Sequence, residues 1–451
     1  MEKKKSFFET VCDLAIPVTL QSMLQSSFSI VDQIMIGQLG SVSVAGVGLA
    51  GKFASIYSVV VSAIGAVAGI MISQYLGQKN RQEVRRSFYM NLAIAGGIAG
   101  IFTVLCAMFS EPVMGLYTKD PATRQAAAAY LRLIAGTFIP MAGATLESTL
   151  FRCTDKPRLP LYASIASAVL NTGLNYILIF GKFGFAPMGA QGAAIATVIS
   201  QYVNFLLMVL MMRRKDSVLA KPNGNSRITE KFNWMQYISM LLPILVCEVV
   251  WSLGENVYAA IYGHMGTDAS AAMTLTNPIQ GLLIGALCGL SQAASVIIGK
   301  MLGNGEYEDA YEASKKLIFY GAVGAVILSA VVVLTSPWYV EIYQVEGAVK
   351  ELTGQILVAY ALVAPFKVLN MILGGGIIRS GGRTKYVMFI DMIGTWCFGV
   401  PLGLLSAFLL KLSIPYVYFI LSLEECIRFG ISLVVFRNRK WMNRLEAGAQ
   451  K

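Results

Sequence analysis

Asp32, Asn171, Asn175 and Thr197 are polar side chains set in long apolar runs. Asn171 and Asn175 are four residues apart, so on a helix they share one face. Counted at about 1.5 Å per residue from the ends of their runs, all four fall at one depth, toward the outer end of three apolar segments. One carboxylate, two amide oxygens and a hydroxyl at a common depth suit a hard monovalent cation, which takes oxygen ligands. A proton on Asp32 would use the same group. The competing reading is a hydrogen-bonded knot that only holds helices together.

A second set lies in the other half of the chain. Glu248 and Glu255 are seven residues apart and share a helix face, and Asp391 and Lys367 sit within later apolar runs. A charge at the middle of a bilayer costs roughly 2.5–3.5 kcal/mol on insertion scales, so each needs a reason. In one reading Lys367 neutralises one of the acids as a structural pair. In the other, Glu248, Glu255 or Asp391 loads a cation or holds a cationic organic molecule. Tyr57, Trp251 and Tyr258 are candidates for the wall of such a site, because aromatic faces attract cations. Arg132 and Glu147 read as charges near span ends, where a long side chain can reach the interface. Glu424, Glu425 and Arg428 read as local helix pairs.

The elements that must carry these residues are membrane helices. The chain has 451 residues, 56% hydrophobic and only 14% charged, well below the quarter expected of a soluble domain. A helix needs about 20 apolar residues to cross the hydrocarbon. Twelve such spans can be drawn, at 14–38, 43–76, 88–110, 126–151, 159–181, 189–212, 236–264, 269–300, 315–335, 352–378, 385–410 and 414–436. Lys and Arg alternate between the connecting loops, 27 on one side against 5 on the other. By the positive-inside rule, both termini and the 213–235 connector face the cytoplasm. The expected organisation is an amino-terminal bundle (1–212), the connector (213–235), a carboxyl-terminal bundle (236–440) and a tail (441–451).

Composition also argues against other classes. The net charge of +11 is accounted for by the loop bias, without nucleic acid. The seven cysteines form no CxxC pair, and the single histidine, His264, cannot build a His-based metal cluster. No GxSxG, HExxH or Walker A pattern occurs, which points away from an enzyme and from an ATP-driven pump on this chain. The basic start, followed by Glu9 and Asp13, reads as an uncleaved cytoplasmic segment.

The two halves repeat each other. Pro17 matches Pro243, "IGQLG" at 36–40 matches "YGHMG" at 262–266, "QYLGQKNRQEV" at 74–84 matches "KMLGNGEYEDA" at 300–310, and "LYTKD" at 116–120 matches "IYQVE" at 342–346, all at an offset of 226. "LFRCTDKPR" at 150–158 then matches "IIRSGGRTK" at 377–385 at 227. Six spans per half make both copies cross in the same direction. This predicts an all-α polytopic membrane protein: twelve transmembrane helices in two pseudo-symmetric six-helix bundles, a parallel repeat of the kind transporters use.

Six segments in this order resemble the multidrug and toxic compound extrusion (MATE) family, of the superfamily that also holds lipid and oligosaccharide flippases. They are "IVDQIMIGQLG" at 30–40, "SQYLGQKNRQEV" at 73–84, "NTGLNYILIFG" at 171–181, "GAQGAAIATVIS" at 189–200, "GGGIIRSGGRTKYVMFID" at 374–391 and "GVPLG" at 399–403. The resemblance covers nearly the whole chain. It implies exchange of organic, mostly cationic, drugs for sodium ions or protons by alternating access. It also implies a cation site in the amino-terminal bundle at Asp32, Asn171, Asn175 and Thr197, and an acidic residue in the seventh span. Asn175 stands where some members carry aspartate, which leaves the cluster with one carboxylate. The expected protein is a monomeric antiporter of the cell membrane. Its partners are drugs and lipid, and sodium or a proton is its coupling ion, with no other cofactor. A flippase or exporter of a lipid-linked or amphipathic metabolite is the alternative.

The loop asymmetry has a direct check. In a cysteine-free background, Asn225→Cys is expected to resist an impermeant thiol reagent added to intact cells and to react once the membrane is opened. Labelling from outside would reverse the orientation.

Overall fold

The structure is a computed structural model that describes residues 6–212, 219, 232–343 and 345–446. Asn225 and most of the 213–235 connector lie outside the described residues, as do 447–451 of the tail. The described residues are almost wholly helical and contain no strand. That is what hydrocarbon demands, since a helix satisfies its own backbone.

The helices are α1 Phe7–Gly37, α2 Ser41–Gly77, α3 Arg81–Met108, α4 Pro121–Cys153, α5 Arg158–Phe180, α6 Gly189–Met212, α7 Trp234–His264, α8 Thr267–Asn304, α9 Tyr307–Glu341, α10 Gly347–Ile378 and α11 Thr384–Leu409. These eleven are long and apolar enough to cross a membrane. The twelfth span, α12, is broken at Leu423 into Ile414–Ser422 and Glu424–Arg437. Most helices extend past the predicted apolar limits by several residues, because polar first and last turns continue the helix into the interface. Three segments run as wider π turns: Met371–Ile378 ending α10, and Ile393–Gly399 and Leu405–Leu409 within α11.

The internal repeat is visible in the backbone corners. Gly40 (φ +91°) and Gly266 (φ +125°), 226 residues apart, both take the left-handed turn after their helix. Lys79 and Gly305, also 226 apart, do so at φ +57° and +83°. Asn80 and Glu306 precede the next helices, and Asp120 and Glu346 the ones after, at the same offset. Asp155 (φ +58°) and Gly382 (φ +73°) follow at 227. At the Asp120 cap, the hydroxyl and amide of Thr123 both donate to Oδ2, at 2.5 and 2.9 Å, which holds this exposed carboxyl below its ordinary range.

The described chain forms two compact units. One holds residues 20–72 and 80–212; the other holds 6–19, 73–79 and 232–446. The first unit is centred on an aromatic cluster of Tyr57, Phe102 and Phe138, with α5 lying along α6 and α4 packed on α3 and α6. In the second, α7 lies along α11, and α10 is surrounded by α8, α9 and α12. This unit also takes in the last turns of α2, where backbones press together at glycines. A Cβ on Gly303 would fall onto the carbonyl of Gln74, and one on Gly77 onto the carbonyl of Lys300. Gln74, fully buried, spends its amide on the carbonyls of Ser380 (2.7 Å) and Asn443 (3.1 Å) and on the amide of Leu445 (2.7 Å).

That crossing leaves no room to relax. Gly303→Leu forces backbone apart, and overpacking of this kind costs about 1–3 kcal/mol. The expected result is a lowered melting temperature of the detergent-purified protein, followed by fluorescence; an unchanged melt would mean the helices are free to separate.

Candidate functional site

In the first unit, Asp32 sits in the carboxyl-terminal part of α1, facing α5. Nδ2 of Asn175 donates to its Oδ1 at 2.7 Å. The amide of Asn171 lies 3.1 and 3.2 Å from its two oxygens; with the nitrogen turned to the carboxylate, the amide oxygen accepts the Ser200 hydroxyl at 3.3 Å. Thr197 donates to the Ala193 carbonyl at 2.9 Å and stands 3.4 Å from the Asn171 amide. The structure therefore brings Asp32, Asn171, Asn175 and Thr197 together and adds Ser200, one turn beyond Thr197. Ser200 could have been found by extending the polar face of α6 by one turn.

Local structure explains the convergence. Gly192 allows α6 to lie against the backbone of α5, since a Cβ there would come within 2.7 Å of the Leu178 carbonyl oxygen. Ser167 then reaches the carbonyl of Ser200 at 2.8 Å. Ile36, Ile179 and Ala193, each one turn from a member of the cluster, pack with Leu39, Val47 and Tyr130. Asn175 is 1% exposed, and its Oδ1 is buried with no hydrogen-bond donor. An orphaned amide oxygen beside a carboxylate is an electron-rich spot in a place where such groups are normally satisfied. Among the described residues no group of three or more His, Cys, Asp or Glu side chains could hold a metal ion. A cation here would rest on one carboxylate and neutral oxygens.

Tyr57 is placed differently from the sequence reading. It is fully buried, stacked near Phe138, with its hydroxyl given to the Phe138 carbonyl at 2.6 Å. It is a packing residue with no face open to a ligand. Glu147 is also a correction: it is 2% exposed within α4, and Oε2 has no partner, so it does not reach an interface. Arg132 lies 3.4 Å from the Ser110 hydroxyl.

Two adjoining cavities of the second unit, of about 320 and 290 Å³, gather most of its candidate residues. The larger is lined by Glu255, Tyr258, Lys367, Glu424 and Glu425; the smaller by Trp251, Lys367, Arg379, Asp391, Glu425 and Arg428. Lys367 and Glu425 belong to both. Glu248 lines neither; it is half-buried beside Cys247, whose thiol donates to Asp391 Oδ2 at 2.7 Å. The cation that holds Asp391 is not Lys367. Arg428 on α12 bonds Asp391 and also reaches Glu425 Oε1 at 3.4 Å. None of the ion pairs among the described residues includes Lys367, Glu255 or Glu424. Asn370 completes the knot, donating to Glu425 Oε2 at 2.8 Å. The local pairing expected of Glu424, Glu425 and Arg428 exists only between Glu425 and Arg428; the arginine's other hand reaches across to α11.

The profile of the MatE family matches the chain twice, over residues 17–177 and 243–405, and the two matches begin 226 residues apart, the offset of the internal repeat. The chain belongs to the MatE family. Among its relatives, the uncharacterized transporter YisQ of Bacillus subtilis is 20% identical over 98% of this chain and 96% of its own length. The probable multidrug resistance protein NorM of Thermotoga maritima is 23% identical over 96% and 92%. A crystal structure of MATE in complex with MaL6 superposes with a TM-score of 0.88 at 16% identity, covering 97% of both chains. A multidrug resistance MATE family transporter of the MOP superfamily, in an outward-facing conformation, also gives 0.88, at 15% identity. At that identity the structures establish the fold: twelve membrane helices in two six-helix halves. MatE membership makes this chain a multi-pass membrane transporter.

The Arg428 knot predicts a stability phenotype. Arg428→Met leaves the buried Glu425 and the partly buried Asp391 without their cation and is expected to cost about 3–5 kcal/mol, the usual result of breaking a buried pair from one side. Adding Asp391→Asn should return part of the loss in the same thermal melt; no recovery would mean the arginine is held for another purpose.

Proposed function

We propose that this MatE-family chain is a secondary active antiporter of the cell membrane, exporting organic, mostly cationic, drugs in exchange for sodium ions or protons. The observation that carries the proposal is the Asp32 cluster. A lone carboxylate in the membrane, held by neutral amides rather than by a fixed cation, keeps a negative charge that a mobile cation can neutralise. Asn171 and Asn175 can offer nitrogen to the bare carboxylate and oxygen to a bound ion. Neutralising Asp32 removes the cost of burying its charge and so favours conformations that enclose it. An ion shifts such an equilibrium only by its differential affinity for the two states. The loop charge asymmetry supports cytoplasmic termini, and in this reading drug leaves as the cation enters from outside. In the second unit, Glu255, Trp251 and Tyr258 line space for a cationic drug or a second ion, with Glu248, Asp391 and Lys367 setting the local field.

Counterflow of a fluorescent organic cation in proteoliposomes, with sodium and pH gradients imposed separately, tests this. At least one of the two gradients, imposed alone, should drive accumulation in the parent protein. Asp32→Asn should insert normally and lose at least part of its gradient-driven accumulation while keeping simple exchange. If Asp32→Asn responds to the gradient as the parent does, the cluster is structural and the coupling assignment fails.

A further inference from the structure

The acids of the second unit are not equivalent. Along its two adjoining cavities stand four carboxylates, Glu255, Asp391, Glu424 and Glu425, and three cations, Lys367, Arg379 and Arg428. One negative charge is left over. Asp391 is bonded by Arg428 and by the Cys247 thiol at 2.7 Å. Glu425 is bonded by Arg428 at 3.4 Å and by Asn370 at 2.8 Å. A carboxylate gripped by a fixed guanidinium has little reason to exchange its partner for a mobile ion.

Glu424 differs on each count. It is 6% exposed, and its Oε2 takes a hydrogen bond from the Tyr258 hydroxyl at 2.7 Å. Among the described residues its Oε1 makes no hydrogen bond and it forms no ion pair, and the residue stands on the wall of the 320 Å³ cavity. Opposite lies Gly399, the end of a π turn of α11, where a Cβ would strike both the Tyr258 hydroxyl and the Glu424 carboxylate. The missing side chain lets α11 pack directly on the Tyr258–Glu424 pair. The charged and titratable groups facing it are Glu255 and Tyr262 from α7, Tyr360 and Lys367 from α10, and Tyr418, Glu425 and Arg428 from α12, with Asp391 of α11 behind the arginine. Neutral oxygens of Gln280, Asn277 and Thr274 share the cavity.

We propose that Glu424 is the exchanging carboxylate of the carboxyl-terminal unit: it loads one monovalent cation, a proton or sodium, on Oε1, while Arg428 acts as a positioning residue that withdraws Asp391 and Glu425 from exchange. As a proton site, Oε1–H forms when the ion enters the cavity and the proton returns to it when the carboxylate is vacated; no other bond changes. The inference rests on the antiport reading above, and adds to it a residue on α12.

The test uses the purified full-length chain in detergent, titrated with tetraphenylphosphonium. Released protons are followed with a pH dye in weak buffer, and bound radioactive sodium in a parallel arm, so the two ions are told apart. Asp32→Asn silences the first unit. In that background a single displaced cation should remain, and adding Glu424→Gln should abolish it with the thermal melt unchanged. Displacement already absent in Asp32→Asn, or untouched by Glu424→Gln, overturns the assignment while leaving antiport through Asp32 intact. A parent protein that displaces neither ion, with counterflow indifferent to both gradients, instead sinks the antiport reading itself. Should Glu424→Gln fail to fold, Tyr258→Phe in the Asp32→Asn background decides. Loss of the donor weakens the anion, so the midpoint of displacement in the proton arm should move to higher pH by about one unit, and in the sodium arm affinity should change several-fold. Neither moving would overturn the proposal.

Discussion

Hydrocarbon supplies no hydrogen bonds, and this chain answers that condition at every level. The backbone is helical almost throughout the described residues, and many polar side chains inside the helices are matched against one another. Gln74, wholly enclosed, shows how strict the matching becomes: both ends of its amide are used, on two separate stretches of backbone. Such matching needs close approach, which is why glycines stand where α2 crosses α8 and where α6 meets α5. Remove the close approach and the polar groups lose their partners, at a cost no lipid can return.

The two units meet this condition by different chemistry. In the first, the acid Asp32 is surrounded by amides and hydroxyls, all neutral. In the second, Asp391 and Glu425 are tied to Arg428. A neutral shell leaves the charge of its acid uncompensated and therefore responsive to whatever cation can reach it. A guanidinium shell compensates the charge permanently and turns the acids into structure. Asp32 thus has a neutral shell, Asp391 and Glu425 share one guanidinium, and Glu255 and Glu424 form no ion pair among the described residues.

Much of this could be read in the amino-acid order. Long apolar runs, alternating loop charge and an offset of 226 were enough to draw twelve spans in two halves. The amino-terminal cluster was legible because its key spacing, Asn171 to Asn175, lies within one helix and its other members lie at computable depth. The carboxyl-terminal knot was not. Its defining contact joins Asp391 to Arg428, and that depends on how α11 is rotated against α12. The π turn at Ile393–Gly399 and the break at Leu423 change that rotation, and neither leaves a spacing signature. Lys367 looked like the natural partner for an acid because depth was the only guide. Tyr57 looked available for a cavity because burial of an aromatic residue depends on its neighbours, here Phe102 and Phe138.

The repeat offset also slips from 226 to 227, between the corner at Glu346 and the corner at Gly382. α10 carries its π segment, Met371–Ile378, inside that interval, while its counterpart in the first half ends as ordinary α-helix through Cys153. A wider turn is the way a helix absorbs one additional residue without shifting its ends. A single-residue insertion in one copy of a duplicated ancestor would therefore have left the ends of the span in place while changing which side chains the wide turn itself presents. Two halves that began as duplicates could diverge in what they present to the interior by one codon, before any of the polar residues themselves had changed.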